Sequence, residues 1–266
     1  MKWFALFFIS WISVNADAVK ILQIGDSHTV GAFGAQLYTS LAQHKNVTSV
    51  RSIGLASASG IHYSSADETK RTLNYGYIDR PAMKSPVAKG SVAQLSTMLS
   101  FEKPDILIIE LADNFAGYRE DVKNNKETQN HVQKILNQIE SSKTQPSECF
   151  WVGPTWTDWV DENGHSLDRR KNGVGTYYKK SNWRAQQVAA AIKKELDGKC
   201  TFIDSMKVMT LSEITTSDGI HCNQATGTLW GQRTYEEIAS KSLILSNGKS
   251  KKPMRNTSTP SFKTNN

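Results

Sequence analysis

The sequence predicts an α/β fold, in which helices pack on both faces of a parallel sheet. The candidate strands are short, rich in Ile, Leu and Val, and lack strict alternation of apolar and polar residues. That pattern is typical of strands buried on both faces. Segments of helical period separate them, and such strand–helix alternation builds a parallel sheet between two helical layers. The five predicted strands are Val19–Ile24, Val47–Ile53, Asp105–Leu111, Cys149–Gly153 and Thr201–Asp204.

Helical periodicity follows the first strand and recurs before the third, fourth and fifth, and again after the fifth. In the fourth predicted helix, Trp183 and Val188 are placed on the inner face by this period. In the last one, Trp230 and Leu243 are placed there. The predicted helices are Ala32–Gln43, Val92–Phe101, Glu127–Ser141, Tyr177–Leu196 and Gly227–Leu245.

The first strand ends abruptly in Gly25, Asp26 and Ser27, and a helical pattern follows at once. Ser27 therefore lies in a tight turn at the carboxyl end of a strand and near a helix N-terminus, where backbone N–H groups point outward. This position suits a nucleophile that attacks an acyl carbonyl. The simpler alternative is that Asp26 or Ser27 only caps the helix.

Both ends of the chain differ in composition from the body between them. Residues 1–18 resemble a secretion signal, with Lys2, an apolar run from Trp3 to Val14, and small residues at Ala16 and Ala18 that allow cleavage after either. A transmembrane anchor is the alternative, but the apolar run is short for a bilayer. Residues 247–266 are polar and basic and predict a disordered tail, which leaves one domain over residues 19–246.

Net charge argues against a nucleic-acid partner. The formal charge is +7, but the tail alone carries five basic residues and no acid, and Lys2 and Asp17 cancel within the signal. The body is left with +2, too little for a basic binding face. The tail is either a solvated extension or a contact for an anionic envelope polymer.

The three cysteines are Cys149, Cys200 and Cys222, and no C-x-x-C motif is present to suggest zinc. Cys149 and Cys200 each open an apolar run. If the two runs are neighbouring parallel strands, the two sulfur atoms lie at the same edge and can form a disulfide, which an exported compartment permits. Two unpaired buried thiols are the alternative.

Two long irregular stretches, residues 55–90 and 154–175, leave the carboxyl ends of predicted strands, where open α/β sheets bind ligands. We interpret them as walls of a substrate site. His62, Tyr63 and Trp156 within them, and His28 beside the turn, are candidate substrate contacts. Each ring can instead fill a small satellite core.

Four segments that bear reactive groups are predicted to meet at one edge of the sheet. Ser27 needs a base, and His221 is the candidate because Asp218 lies three residues before it and can hold its ring. Attack on an ester creates an oxyanion, which backbone N–H groups of Ser27 and Gly60 and the amide of Asn114 can stabilise. His28 is an alternative base, and Asp218 alone can be a helix cap.

In their order along the chain, Gly25-Asp26-Ser27, a glycine after the second strand, Asn114 and Asp218-x-x-His221 resemble the four blocks of the SGNH (GDSL) hydrolases. The resemblance implies a flavodoxin-like three-layer α/β/α sandwich and a serine esterase that needs no metal or organic cofactor. It implies nucleophile Ser27, oxyanion donors Gly60 and Asn114, and the partners Asp218 and His221. Ala112 replaces a usual glycine, and Gly54 competes with Gly60 for the second block.

We therefore expect an exported monomeric serine esterase, periplasmic or secreted, without a membrane segment in the mature chain. The expected substrate is an O-acetyl or other short acyl ester on a cell-envelope or other polysaccharide, since no long apolar loop is present to line an acyl channel. Two alternatives remain open. One is a lysophospholipase or thioesterase that acts on lipid esters, and the other is a glycan-binding protein that has lost catalysis.

Overall fold

A six-stranded sheet forms the centre of the molecule in the computed structural model, which describes residues 18–115, 125–160, 162 and 180–247. The strands described are β1 (Val19–Gly25), β2 (Val47–Leu55), β3 (Thr72–Leu73), β4 (Tyr77–Arg80), β5 (Gly90–Ser91), β6 (Ile106–Glu110), β7 (Glu148–Val152) and β8 (Thr201–Ile203). The sheet has the order β4-β2-β1-β6-β7-β8, and β3 pairs with β5 in a separate ribbon. Every neighbouring pair of the main sheet is parallel except β2 and β4.

Helices cover both faces of this sheet, which confirms the predicted three-layer α/β/α architecture. The helices described are α1 (Ser27–Val30), α2 (Ala32–Ala42), α3 (Gly60–Ser64), α4 (Leu95–Glu102), α5 (Lys126–Ser141), α6 (Asn182–Leu196), α7 (Ser205–Val208), α8 (Gln224–Lys241) and α9 (Leu243–Asn247). Apolar residues of α3 to α6 form one core with the sheet. Those of α2, α8 and α9 form a second core on the opposite face.

The two cores alternate along each strand, as the two-residue period of a β-strand requires. In β1, Leu22 and Ile24 belong to the first core, whereas Val19 and Ile21 belong to the second. All four side chains are at most 3% exposed. Burial of such an aliphatic side chain stabilises the fold by about 1.5–3 kcal/mol, so both helical layers are held to the sheet by apolar packing.

The strand count of five was wrong by one antiparallel edge strand. β4 lies inside residues 55–90, a stretch predicted to be irregular, and pairs with the end of β2. Only Ile78 of β4 is fully buried, and the guanidinium of Arg51 on β2 pairs with Asp79, Nη2 to Oδ2, at 2.7 Å. Four residues with a single aliphatic side chain give too weak a pattern to be recognised as a strand.

Helix positions agree with the prediction to within a few residues, but two inner-face assignments were wrong. Trp183 is 48% exposed and Leu243 is 51% exposed. α6 begins only at Asn182, and Trp183 in its first turn lies about 140° around the helix from Val188. Leu243 follows a break at Ser242, after which α9 starts with a new phase.

The predicted signal and basic tail fall outside the described residues, apart from Ala18 and Asn247. The same holds for most of the 154–175 stretch, of which residues 154–160 and 162 are described. Within the described part of the chain, no helix combines the length and the apolar character needed to cross a membrane.

Cys149 and Cys200 are joined in a disulfide, as the strand arrangement predicted. Cys149 lies in β7 and Cys200 directly precedes β8, and the register pairs Phe150 with Thr201. The two cysteines therefore lie side by side at the amino ends of adjacent parallel strands. Cys222 is a free thiol.

Loss of this disulfide is expected to lower the free energy of unfolding by about 4 kcal/mol, because it closes a loop of roughly 50 residues in the unfolded chain. Urea denaturation of the wild type with and without reductant measures the effect. The Cys149→Ala/Cys200→Ala double variant is the control, since reductant should leave its midpoint unchanged. Equal midpoints for oxidised and reduced wild type, or alkylation of both thiols without reduction, would contradict the assignment.

Candidate active site

The turn after β1 is built by close packing around Gly25. A Cβ atom at this position would lie 2.0 Å from the Thr29 hydroxyl oxygen and 2.7 Å from the Glu110 carbonyl oxygen, so only glycine fits. Asp26 follows as the N-cap of α1, and its Oδ1 accepts the backbone N–H of His28 at 3.0 Å. Ser27 is consequently the first residue of α1, at the carboxyl end of the central strand.

His221 reaches Ser27 across 194 positions of the sequence, and its Nε2 lies 2.8 Å from the Ser27 Oγ. On the other side of the ring, Nδ1 lies 2.6 Å from Oδ2 of Asp218. The Asp218 Oδ1 accepts backbone N–H groups of Ile220 at 3.0 Å and of His221 at 2.8 Å. The three side chains thus form a continuous hydrogen-bonded series that ends at the serine hydroxyl.

Electrostatics tune the imidazole toward proton acceptance. The hydrogen bond that His221 donates to Asp218 is the largest cause that raises the pKa of His221, and partial burial opposes it. Burial would raise the pKa of Asp218, but the hydrogen bonds from the His221 side chain and backbone outweigh it, and the net pKa is lowered. Asp218 therefore stays ionised and favours the imidazolium form of its partner.

The segment after β7 fastens the loop that carries Asp218 and His221. Thr157 donates its hydroxyl to the Gly219 carbonyl at 2.8 Å. Its backbone N–H donates to the Asn182 side-chain oxygen at 2.8 Å. Asp158 accepts the Thr216 backbone N–H at 3.1 Å. The acid–histidine loop is therefore held by two side chains of the segment after β7, and Asn182 of α6 fixes that segment in turn.

Donors for an oxyanion converge on the same turn. Asn114 Nδ2 donates to Asp26 Oδ2 at 2.9 Å and to the Ala58 carbonyl at 3.0 Å, which draws the loop before Gly60 toward Ser27. Ser27 and Gly60 are the first residues of α1 and α3, so their N–H groups have no partner within their own helix. Both hydrogens of the Asn114 amide already have acceptors in this arrangement.

The two candidate glycines of the second block occupy different environments. Gly54 lies within β2, between Gly25 of β1 and Ile78 of β4, and its α-carbon packs against the backbone of Val30. Gly60 starts α3 and packs against α5, where an added Cβ would lie 2.3 Å from the His131 carbonyl oxygen. Only Gly60 begins a helix at the end of the loop that Asn114 contacts, which favours it as the donor.

Solved structures share this architecture at low sequence identity. A carbohydrate esterase of family 3 from Talaromyces cellulolyticus has a TM-score of 0.55 and 11% identity, covering 86% of this chain and 98% of that protein. A protein of family DUF4886 from Bacteroides uniformis has a TM-score of 0.52 and 13% identity, over 89% and 88% of the two chains. The chain therefore shares the three-layer α/β/α fold of these proteins.

One more solved structure and one curated protein are also similar to this chain. A variant of an acetyl-xylooligosaccharide esterase from Geobacillus stearothermophilus has a TM-score of 0.50 and 14% identity, covering 83% of this chain and 94% of that one. Protein BcsX of Komagataeibacter xylinus is 24% identical over 164 residues, which cover 60% of this chain and 55% of BcsX. The match thus spans little more than half the length of that relative. No family model matches the chain.

Two of the four candidate substrate contacts are buried, which argues against a direct contact of their side chains with a substrate. Tyr63 is fully buried and donates its hydroxyl to the Gly25 carbonyl at 2.7 Å, so it supports the turn that carries Ser27 from within the core. His28 is 4% exposed and packs edge-on against Trp230. Burial lowers the pKa of His28 to about 4, which keeps its ring neutral.

The other two candidates are partly exposed. The Trp156 indole N–H donates to the carbonyls of Met206 and Met209 at 3.0 and 2.9 Å, so its polar atom serves to dock the segment after β7 on α7. Because the indole N–H already has these acceptors, it is not available as a hydrogen-bond donor to a substrate. His62 Nδ1 accepts the Ser59 N–H at 2.9 Å as part of the cap of α3, and its role as a substrate contact stays a prediction.

Sequence reasoning missed several buried charged contacts around this site. Asp113 and Lys180 form an ion pair, each 2% exposed, and His28 Nε2 lies 3.3 Å from Oδ2 of the same aspartate. Glu110 is fully buried at the end of β6, where it pairs with Gly25 next to the turn that carries Ser27. The one available signal was Glu110 itself, a charged residue that closes an otherwise apolar strand.

Proposed function

We propose that this chain is a serine ester hydrolase, and the Ser27–His221–Asp218 series at 2.8 and 2.6 Å is the observation that carries the proposal. His221 Nε2 takes the hydroxyl proton while the Ser27 oxygen attacks the acyl carbonyl. The resulting imidazolium, stabilised by Asp218, then returns a proton to the departing alcohol. Water attacks the acyl-enzyme by the same route and releases the acid.

The N–H groups of Ser27 and Gly60 are the proposed backbone donors to the tetrahedral oxyanion, with the Asn114 amide as the third. Since that amide already binds Asp26 and Ala58, it donates to the oxyanion in place of, or shared with, its bond to the Ala58 carbonyl. Neither the nucleophile nor the base depends on a metal or organic cofactor in this scheme.

A short acyl ester on a polysaccharide is the proposed substrate. Two proteins of the same fold are named as a carbohydrate esterase and an acetyl-xylooligosaccharide esterase. In this chain Trp183 is half exposed and directly follows Asn182, which binds the segment that fastens the Asp218 loop. An exposed indole is suited to packing on the apolar face of a sugar ring, and this one is linked to the acid–histidine loop through Asn182 and Thr157.

We further propose that the protein works outside the cytoplasm. The Cys149–Cys200 disulfide favours an oxidising compartment, such as the periplasm or the extracellular space. The signal-like composition of residues 1–18 supports the same location, with the mature chain free of its apolar leader.

Release of acid from two substrate classes, measured side by side, tests the proposal. Purified protein is incubated with acetylated xylo-oligosaccharides and with a lysophospholipid, and acetate and fatty acid are quantified. We expect acetate release to exceed fatty-acid release in kcat/KM. The reverse preference would make the chain a lipid esterase. Glycan binding without turnover of either substrate would make it a binding protein and contradict the proposed activity.

A further inference from the structure

Two carboxyl groups lie against each other beneath the nucleophile, fully removed from water. Asp26 and Glu110 are both 0% exposed, and the side chain of each is among the groups that shift the pKa of the other. Register pairs Gly25 with Glu110, and the Asp26 N–H donates to the Glu110 carbonyl at 3.1 Å. The backbone therefore fixes the two side chains next to each other, and two buried carboxylates in contact would repel strongly.

The hydrogen-bond donors around the pair are distributed unequally. Both oxygens of Asp26 accept an N–H, from His28 at 3.0 Å and from the Asn114 amide at 2.9 Å. Glu110 accepts only the Thr29 hydroxyl, at 3.2 Å on Oε2. Its Oε1 is buried and meets no donor among the residues that the structure describes. Donors stabilise a carboxylate, so Asp26 is the favoured site for negative charge and Glu110 for a proton.

Resting on the proposed esterase function, we propose that Glu110 keeps its carboxyl proton at neutral pH and shares it with Asp26. The pair then carries one negative charge in total. The negatively charged pair accepts hydrogen bonds from the Asn114 amide and the His28 N–H. It thereby positions Asn114, the proposed oxyanion donor, relative to Ser27. Glu110 is a positioning residue in this scheme, because it acts through Asp26 and does not touch the substrate.

Other charged groups near the pair do not supply the cation that two carboxylates would need. Lys180 is paired with Asp113, and His28 is held neutral by burial. His221 has the smallest of the influences on the pKa of Asp26, which it lowers. Tyr63 contributes a hydroxyl that is already donated to Gly25. Burial, followed by the neighbouring Asp26 and Asp113 charges, raises the pKa of Glu110 well above its ordinary value.

Carbon-13 NMR on the wild-type protein tests the proton directly, without reference to turnover. With glutamate labelled at its side-chain carboxyl carbon, we expect one resonance at the chemical shift of a protonated acid at pH 7. It should be absent in Glu110→Gln and present in Glu68→Gln, a matched change at an exposed glutamate. The proposal would be overturned if every glutamate carboxyl titrated in the ordinary pH range of glutamate. It would also be overturned if the resonance of the protonated acid persisted in Glu110→Gln.

Turnover of an acetyl ester provides the second readout. Glu110→Gln retains an N–H that can donate to Asp26, so kcat should fall by less than about tenfold. Glu110→Leu removes the proton that Glu110 shares with Asp26. The Asn114 amide is then no longer fixed by the pair, and kcat should fall by about 100-fold. Equal losses in the two variants would contradict a donor role. Since the NMR signal is independent of activity, an inactive wild type that shows it would refute only the esterase function.

Discussion

Replacing Ser27 with alanine is expected to lower kcat/KM for an acetyl ester by about 10⁴-fold or more while the fold remains intact. The Ser27 hydroxyl oxygen lies 2.8 Å from His221 Nε2, and no covalent acyl-enzyme can form without that oxygen. Hydrolysis of a chromogenic acetate ester, followed under initial-rate conditions, measures the loss. The residual rate then reports what the oxyanion donors and bound water achieve alone.

Ser49→Ala is the matched control, because it makes the same change at an exposed position near the amino end of β2, where Ser49 pairs with Lys20, and Ser27 lies beyond the carboxyl end of β1. It should keep the activity of the wild type. Ser27→Ala should unfold at the same denaturant concentration as the wild type, since Ser27 contributes little to either core. Activity within tenfold of wild type in Ser27→Ala would remove the basis of the proposed mechanism.

Local patterns were sufficient to predict the frame of the molecule. The apolar run before Gly25, followed at once by helical periodicity, predicted β1, the turn and the first helices because each signal is contained in neighbouring residues. The disulfide followed from the same logic, since two cysteines that open adjacent parallel strands lie side by side. β4 was missed because its single buried side chain carries no period.

Side-chain burial near the site was harder to predict than the order of the elements. Tyr63 and Lys180 are polar residues in segments whose composition indicates solvent, yet both are buried by partners far along the chain. The Tyr63 hydroxyl meets Gly25, 38 positions away, and Lys180 meets Asp113, 67 positions away. Such contacts depend on how loops return to the sheet, which periodicity does not encode.

Asp218→Asn is expected to lower the plateau of kcat by about 10⁴-fold, the cost of the same change in other serine hydrolase triads. The amide keeps the size of the carboxylate but presents an N–H where His221 Nδ1 must donate, at 2.6 Å in the wild type. The imidazole is then held in the tautomer that cannot accept the Ser27 proton at Nε2. Asp197→Asn, at an exposed helix end with positive φ that asparagine tolerates, is the control.

We also expect the pH profile of Asp218→Asn to be shifted relative to that of the wild type. The direction of the shift follows from the His221–Asp218 hydrogen bond. Catalysis needs the neutral imidazole, so activity rises as pH increases through the pKa of His221. In the wild type that pKa lies above the ordinary value of 6.5 because Asp218 stabilises the cation. Asp218→Asn removes this stabilisation and leaves the burial that disfavours charge. Its acidic limb should therefore move to lower pH, and a limb that stays in place would show that another group titrates.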